Sequence, residues 1–280
     1  MEIFNFIGDM RQWLEEHHKP GRKEGFVPTM GALHEGHISL IKQAREENDI
    51  VGCSIFVNPI QFNNPEDLEK YPRTLDEDLE MLKTAGCDLV LTPSVKEMYP
   101  EPVLENYDFG DLERVMEGKY RPGHFNGVAV VVKRLFDIFR PERAYLGEKD
   151  FQQLRIIQRL VQMENIPVEI VPCKTLREAD GLAMSSRNRR LSPEERKIAP
   201  RLFQTMMEVK DQYGRKEIGE LKKLAEDRLG KSGFIVDYVE IASVDDLQPL
   251  RDRKEKAPAR IFVACFLGNV RLIDNLEIIS

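Results

Sequence analysis

The sequence predicts an α/β protein, with a parallel sheet covered by helices in a main domain and a smaller α+β domain after it. Three observations carry this. Short apolar runs alternate with amphipathic stretches through the first two thirds of the chain, the pattern of strand–helix–strand units. The alternation ends after Asp180-Gly181, where two charged helical stretches precede three strand-like runs. The length of 280 residues suits one large domain plus a smaller one.

Each element has a local reason. Gly25 to Pro28 reads as the end of a strand, and Ile38 to Glu47 as a helix with Ile38, Leu40, Ile41 and Ala44 on one side. Ile50 to Val57 is a buried strand, Leu75 to Ala85 a helix stopped by Gly86, and Asp88 to Leu91 a strand. Val128 to Phe139 is a strongly apolar helix ended by Pro141. Arg143 to Gly147 is a strand, Gln152 to Met163 a helix, and Pro167 to Val171 the last strand of the series. Beyond Gly181, helices are expected over Pro193 to Tyr213 and Lys216 to Leu229, the second stopped by Gly230 and Gly233. Strands are expected over Asp237 to Ala242, Arg260 to Leu267 and Val270 to Ile273, with Gly268-Asn269 as a hairpin turn. The expected boundary lies at residue 175, giving domains over 1–175 and 176–280.

Composition narrows the function. Lys and Arg total 41 against 48 Asp and Glu, a net charge of -7; a nucleic-acid binder shows a basic excess or stripe, so no nucleic-acid partner is expected. No apolar run approaches the ~20 residues of a membrane helix, and Met1-Glu2-Ile3-Phe4 does not open a signal peptide. Cys53, Cys87, Cys173 and Cys265 are scattered and read as reduced core thiols of a cytoplasmic protein with no membrane partner.

Two motifs carry chemistry. Pro28-Thr29-Met30-Gly31-Ala32-Leu33-His34-Glu35-Gly36-His37 is a strand feeding a glycine-containing turn and then a helix. Backbone N–H groups and the helix dipole favour an anion there. The turn lacks the Lys-Ser/Thr of a P-loop and the glycine spacing of a dinucleotide fingerprint. It offers instead two histidines at i and i+3, which can donate to phosphate oxygens as charge develops. The same residues could simply cap the helix or hold a metal; the metal needs further ligands, and His17, His18 and His124 stand far off in sequence. The second motif, Asp180 to Asn188, contains Met184-Ser185-Ser186-Arg187. Two hydroxyls and a guanidinium on one loop can cover a triphosphate. The loop could also cap the next helix, although Ser192-Pro193-Glu194-Glu195 is the better cap.

Taken with Ser54 to Phe62, Tyr71-Pro72-Arg73-Thr74, Glu117 to Phe125, Gly147-Glu148-Lys149-Asp150 with Gln152-Gln153, and Arg177 to Asn188, these stretches resemble the pantothenate synthetase (pantoate–β-alanine ligase) family, in its order. The resemblance implies ATP-dependent condensation of (R)-pantoate with β-alanine through a pantoyl adenylate, releasing pyrophosphate and AMP. It also implies a Rossmann-like nucleotidyltransferase domain with a C-terminal lid, a homodimer, and Mg²⁺ accompanying ATP. The last hundred residues match only loosely, and Lys174 stands where many members carry Pro.

The resemblance implies residue roles as well. His37 matches a proposed proton donor and His34 sits beside it on the phosphates; both fit an electrostatic role. Met30, Gly31, Ala32, Leu33, Glu35 and Gly36 line the ATP turn. Gln61 and Gln153 match pantoate-binding glutamines, whose neutral amides bind hydroxyls and a carboxylate without neutralising the nucleophile. Gly147 and Glu148 lead to Lys149, a phosphate ligand, and Asp150, a Mg²⁺ or ribose ligand; Asp88 is a lesser Mg²⁺ candidate. Leu176 matches a position whose backbone meets adenine. Ser185, Ser186 and Arg187 clamp the leaving pyrophosphate, and Met184 beside them contacts ATP. Arg121 and His124 read as structural. A nucleotidyltransferase acting on a second phosphate would need a basic pocket in place of the glutamines, and a nucleotide sensor has no need of groups that stabilise a transition state.

Overall fold

The structure, a computed structural model, describes residues 1–17, 19–252 and 258–279. The chain divides into two compact units: Met1–Phe109, Arg121–Glu148 and Gln153–Lys174 form the first, and Gly110–Tyr120, Lys149–Gln152 and Thr175–Ser280 the second. Two short segments that precede residue 175 therefore group with the C-terminal part of the chain.

The first unit carries strands β1 (Glu2–Phe4), β2 (Glu24–Thr29), β3 (Ile50–Ile55), β4 (Leu89–Leu91), β5 (Arg143–Gly147) and β6 (Glu169–Cys173). They lie in the order β1-β4-β3-β2-β5-β6, and every pair is parallel. Helices α1 (Ile7–His17), α2 (Glu35–Glu47), α3 (Pro65–Glu69), α4 (Leu75–Thr84) and α5 (Val95–Met98) belong to this unit. Strands covered on both faces read as continuous apolar runs: Phe26, Val27, Val51, Cys53, Leu89, Val90 and Leu91 are all fully buried. The winding reverses between β2 and β5, the topological switch point at whose carboxyl edge ligands of such sheets bind. The histidine turn leaves β2 at that edge, and Gly147 ends β5 beside it.

Departures are local. The edge strand β1 and the helix α1 were not expected; the three residues of β1 are too few to show a period, and α1 buries only Met10. The strand expected over Pro167 to Val171 is Glu169–Cys173, because pairing with β5 begins at Arg143↔Glu169. Pro172 is tolerated there because β6 is an edge strand.

The second unit carries α6 (Met116–Tyr120), and the chain then passes through α7 (His124–Phe139) of the first unit into α8 (Phe151–Met163), whose first two residues group with the second unit. There follow α9 (Pro193–Ile198), α10 (Arg201–Gln212), α11 (Ile218–Lys231) and the antiparallel sheet β7 (Ile235–Ser243), β8 (Ala259–Leu267), β9 (Val270–Ile279). Leu202, Met206, Val209, Leu221, Ala225 and Leu229 pack on Ile261, Val263 and Cys265 in one core. The single helix expected over Pro193 to Tyr213 is two, broken at Ala199-Pro200, since Pro200 has no N–H to continue the first. α11 runs through Gly230 and is stopped at Gly233, whose φ is +92°. β9 extends six residues past Ile273 to Ile279.

The inserted segment is fastened within this unit. Arg271 forks onto Glu117 with two bonds of 2.8 Å and donates through Nε to Asp237 at 2.8 Å. The Tyr238 hydroxyl donates to Glu117 at 3.0 Å. Gln152 accepts from the Glu117 N–H at 3.0 Å and donates to the carbonyls of Leu112 and Val115 at 2.7 and 2.9 Å. No described helix is long and apolar enough to cross a membrane.

Candidate active site

The turn after β2 is built by backbone conformation and one acid. Gly31 has φ +79°, and a Cβ there would lie 2.9 Å from Ile55 Cγ2 and 3.0 Å from Asp78 Oδ2. Ala32 follows at φ +50°, a left-handed conformation that costs a side-chain-bearing residue about 1–3 kcal/mol. Asp78 of α4, 1 % exposed, holds the pair in place. Its carboxylate accepts from the N–H groups of Ala32 at 2.8 Å and Leu33 at 2.7 Å, and from Thr74 Oγ1 at 3.1 Å. Sequence reading missed Asp78; the signal was an acid among otherwise exposed acids on α4 whose helical phase points inward.

His34 is the N-cap of α2 and accepts from the Gly36 N–H through Nδ1 at 3.1 Å. His37 Nδ1 accepts from the His34 N–H at 3.4 Å, and the rings lie 4.0 Å apart. Capping and anion binding are thus complementary. With Nδ1 of each neutral ring accepting, the hydrogen sits on Nε2, and both rings become Nε2–H donors at the positive end of a helix. Glu35 and Gly36 form the first turn. Among the described residues no cluster of three or more His, Cys, Asp or Glu could hold a metal; His18 lies outside them.

Gln61 ends a short 3₁₀ turn after β3 and is 7 % exposed. Its Oε1 accepts from Asn58 Nδ2 at 3.0 Å, and its Nε2 meets Met30 Sδ at 3.0 Å. Asn58 is itself oriented by the Tyr99 hydroxyl, 2.8 Å from Oδ1, and donates to the Gly127 carbonyl at 3.0 Å. A Cβ on Gly127 would stand 2.5 Å from the Ile60 carbonyl, so glycine lets α7 approach this turn. Arg121 and His124 are structural, with a specific duty. Arg121 donates to His124 Nε2 at 3.2 Å, leaving Nδ1–H to donate to the Gln61 carbonyl at 2.8 Å. Gln153 is half-buried on α8, one residue beyond the fully engaged Gln152.

Asp88 stands just before β4 at the amino edge of the sheet, opposite the histidine turn. Its carboxylate takes Arg45 of α2 at 2.6 Å and the Val51 N–H of β3 at 2.7 Å, so it ties α2 and β3 to the start of β4.

In the second unit, Lys149 and Asp150 follow Gly147 and Glu148 on a 3₁₀ turn. Lys149 Nζ lies 3.4 Å from Asp150 Oδ1, and its side chain is 18 % exposed. The Leu176 carbonyl accepts from the Met184 N–H at 3.1 Å, closing a small loop over Arg177↔Ala183. Ser185 caps a 3₁₀ turn by accepting from the Arg187 N–H at 3.3 Å, and Ser186 is buried. Ser192 with Glu195 forms a complete capping box on α9, so both serines cap. Arg177 forks onto Asp274 at 2.6 and 3.0 Å; burial pushes the Asp274 carboxyl up while the Arg177 fork pulls it down.

The family model of pantoate-beta-alanine ligase matches residues 2–277. The pantothenate synthetase of Flavobacterium psychrophilum is 44 % identical over 281 residues, covering 99 % of this chain and 100 % of that one. That of Aquifex aeolicus is 47 % identical over 282 residues, covering 99 % of each. The crystal structure of pantothenate synthetase from Thermus thermophilus superposes with a TM-score of 0.93 at 44 % identity, covering 100 % of both chains. The pantoate-beta-alanine ligase of Francisella tularensis, complexed with beta-gamma ATP and beta-alanine, gives 0.85 at 38 % identity, with 99 % and 98 % covered. The family model over residues 2–277 and relatives 44 % and 47 % identical over 99 % of the chain place it in the pantoate–β-alanine ligase family.

Proposed function

We propose that this pantoate–β-alanine ligase works through a pantoyl adenylate. A pantoate carboxylate oxygen attacks the α-phosphorus of ATP and pyrophosphate leaves; the amine of β-alanine then attacks the acyl carbon and AMP leaves. The observation that carries the reading is the pair of imidazoles at the start of α2, each accepting a backbone N–H through Nδ1, a place where donors stabilise the charge that a departing pyrophosphate gains. His37 and His34 are the catalytic donors of the first step, with Lys149 and Arg187 as fixed cations. Met30 to His37, Gly147 to Asp150, Leu176 and Met184 to Arg187 contact ATP. Gln61 and Gln153 bind pantoate and β-alanine. Asn58 fixes the flip of the Gln61 amide by donating to Oε1, which leaves its NH₂ as the donor end; one hydrogen meets Met30 Sδ, and the second suits the carboxylate and hydroxyl oxygens of pantoate.

Mg²⁺ needs only one or two carboxylates when phosphates complete its shell. Asp150, with its side chain 46 % exposed, suits that role, and the metal would supply charge neutralisation of the phosphates. Residues 1–175 provide the catalytic domain and 176–280 the lid, with Gly110–Tyr120 and Lys149–Gln152 grouped with the lid. The working form is a cytoplasmic homodimer. The test is pantoate-dependent exchange of labelled pyrophosphate into ATP without β-alanine. Exchange that requires pantoate is expected; exchange indifferent to pantoate contradicts the reading.

A further inference from the structure

The last strand of the chain carries two consecutive buried polar residues where a core strand would carry apolar ones. Asp274 and Asn275 are each 3 % exposed. A buried ion pair is commonly no more stable than well-packed apolar groups of the same volume, so stability alone is a poor reason for them.

The bonds of Asn275 supply another reason. Its Oδ1 accepts from Arg260 at 2.6 Å, which fixes the flip of the amide. Nδ2 is thereby turned to the Lys149 carbonyl, to which it donates at 2.9 Å. Arg260 also lies over the Phe151 ring at 4.2 Å, so the turn carrying Lys149 is gripped at residue 149 and again two residues on. A fixed carbonyl sets the peptide plane of Lys149 and hence the direction in which its side chain leaves the backbone. Asp274, one residue earlier, takes the Arg177 fork, and Arg177 donates to the Gly181 and Asn275 carbonyls at 3.2 Å each. A single strand therefore holds both the Lys149 turn and the base of the loop that leads to Ser185 and Arg187.

We propose that Asn275 is a positioning residue that sets where Lys149 presents its ammonium to the triphosphate. The proposal rests on the reading of Lys149 as a phosphate ligand. The role of Asn275 is exerted through the Lys149 carbonyl, to which its Nδ2 donates.

A double-mutant cycle tests it, with affinity for α,β-methylene-ATP measured calorimetrically on the full chain. The proteins are the parent, Asn275→Asp, Lys149→Ala and the double variant. Asn275→Asp keeps the acceptor for Arg260 and removes the donor to Lys149. Asn275→Ala, run through the same cycle, serves if the aspartate does not fold, with thermal unfolding followed for each. The expected result is about five- to tenfold weaker binding on changing Asn275 in the parent, and less than about twofold in the Lys149→Ala background, the signature of coupled residues. Equal losses in both backgrounds, or no loss in the parent, overturn the proposal while leaving the Lys149 reading intact. Unchanged affinity on Lys149→Ala alone overturns that reading, and the proposal with it.

Discussion

The two regions assigned to the phosphates are held in different ways. The histidine turn of the first unit is mostly self-supporting: its caps link residues two and three apart, and one acid, Asp78, reaches in from 45 and 46 residues away. The Lys149 turn and the Ser185–Arg187 loop of the second unit rely on distant side chains. Asn275 is 126 residues from Lys149, and Asp274 is 97 from Arg177. A locally capped turn keeps its shape wherever its helix forms. A turn mounted on a far strand keeps its shape only when that strand is in place, which makes the second region the more fragile to substitutions outside the site.

Arg177→Met breaks this comparison most severely. It leaves the buried Asp274 carboxylate without its fork, at an expected cost of about 3–5 kcal/mol in urea unfolding. The deficit should shrink as pH falls: without Arg177 the folded carboxyl titrates further above its unfolded value, and once protonated it needs no cation. A deficit independent of pH would assign the loss to packing on Phe203, whose ring lies 4.1 Å from the guanidinium. His37→Ala comes next. Loss of one transition-state donor should slow single-turnover adenylation about 10²–10³-fold with the melting temperature nearly unchanged; an unaltered rate removes the donor role. Asp78→Asn should cost about 1–3 kcal/mol of stability, because an amide cannot accept from both Ala32 and Leu33 as the carboxylate does. It should also weaken ATP binding, and normal binding would show that the turn holds without its acid.

The smallest effect concerns the thiols. Burial holds Cys53 well above its usual range and pushes Cys87, Cys173 and Cys265 up to about 12. All four should resist a thiol reagent at pH 8 and react after denaturation. Their raised values stabilise the fold fully below the unfolded thiol range near 9.0, and that contribution is lost as pH climbs toward about 12. Rapid labelling of any one in the native protein would contradict its placement.

What the sequence made legible follows the same division. The parallel strands, the helix after the histidines and the hairpin at Gly268-Asn269 are written in neighbouring residues. Periodicity could not show that Pro200 divides two helices inside one charged stretch. Nor could it show β9 beyond Ile273, because Asp274-Asn275 break the alternation that marks a half-buried strand. The place of Asp88 was not legible because an acid next to a strand says nothing about which end of the sheet it occupies; the parallel register puts it at the amino edge. Asp78 went unseen because its partners are backbone N–H groups, which leave no mark in the sequence. Glu117 was visible as part of a motif, but its fork from Arg271 joins residues 154 apart.

Pantoate is proposed to be activated by attack on the α-phosphorus, with the histidine turn receiving the pyrophosphate. Pantoate labelled with oxygen-18 in its carboxylate tests it most directly. One labelled oxygen is expected in AMP and the other in the amide carbonyl of pantothenate. Label recovered in inorganic phosphate, with ADP as the nucleotide product, would mean attack at the γ-phosphorus and would contradict it.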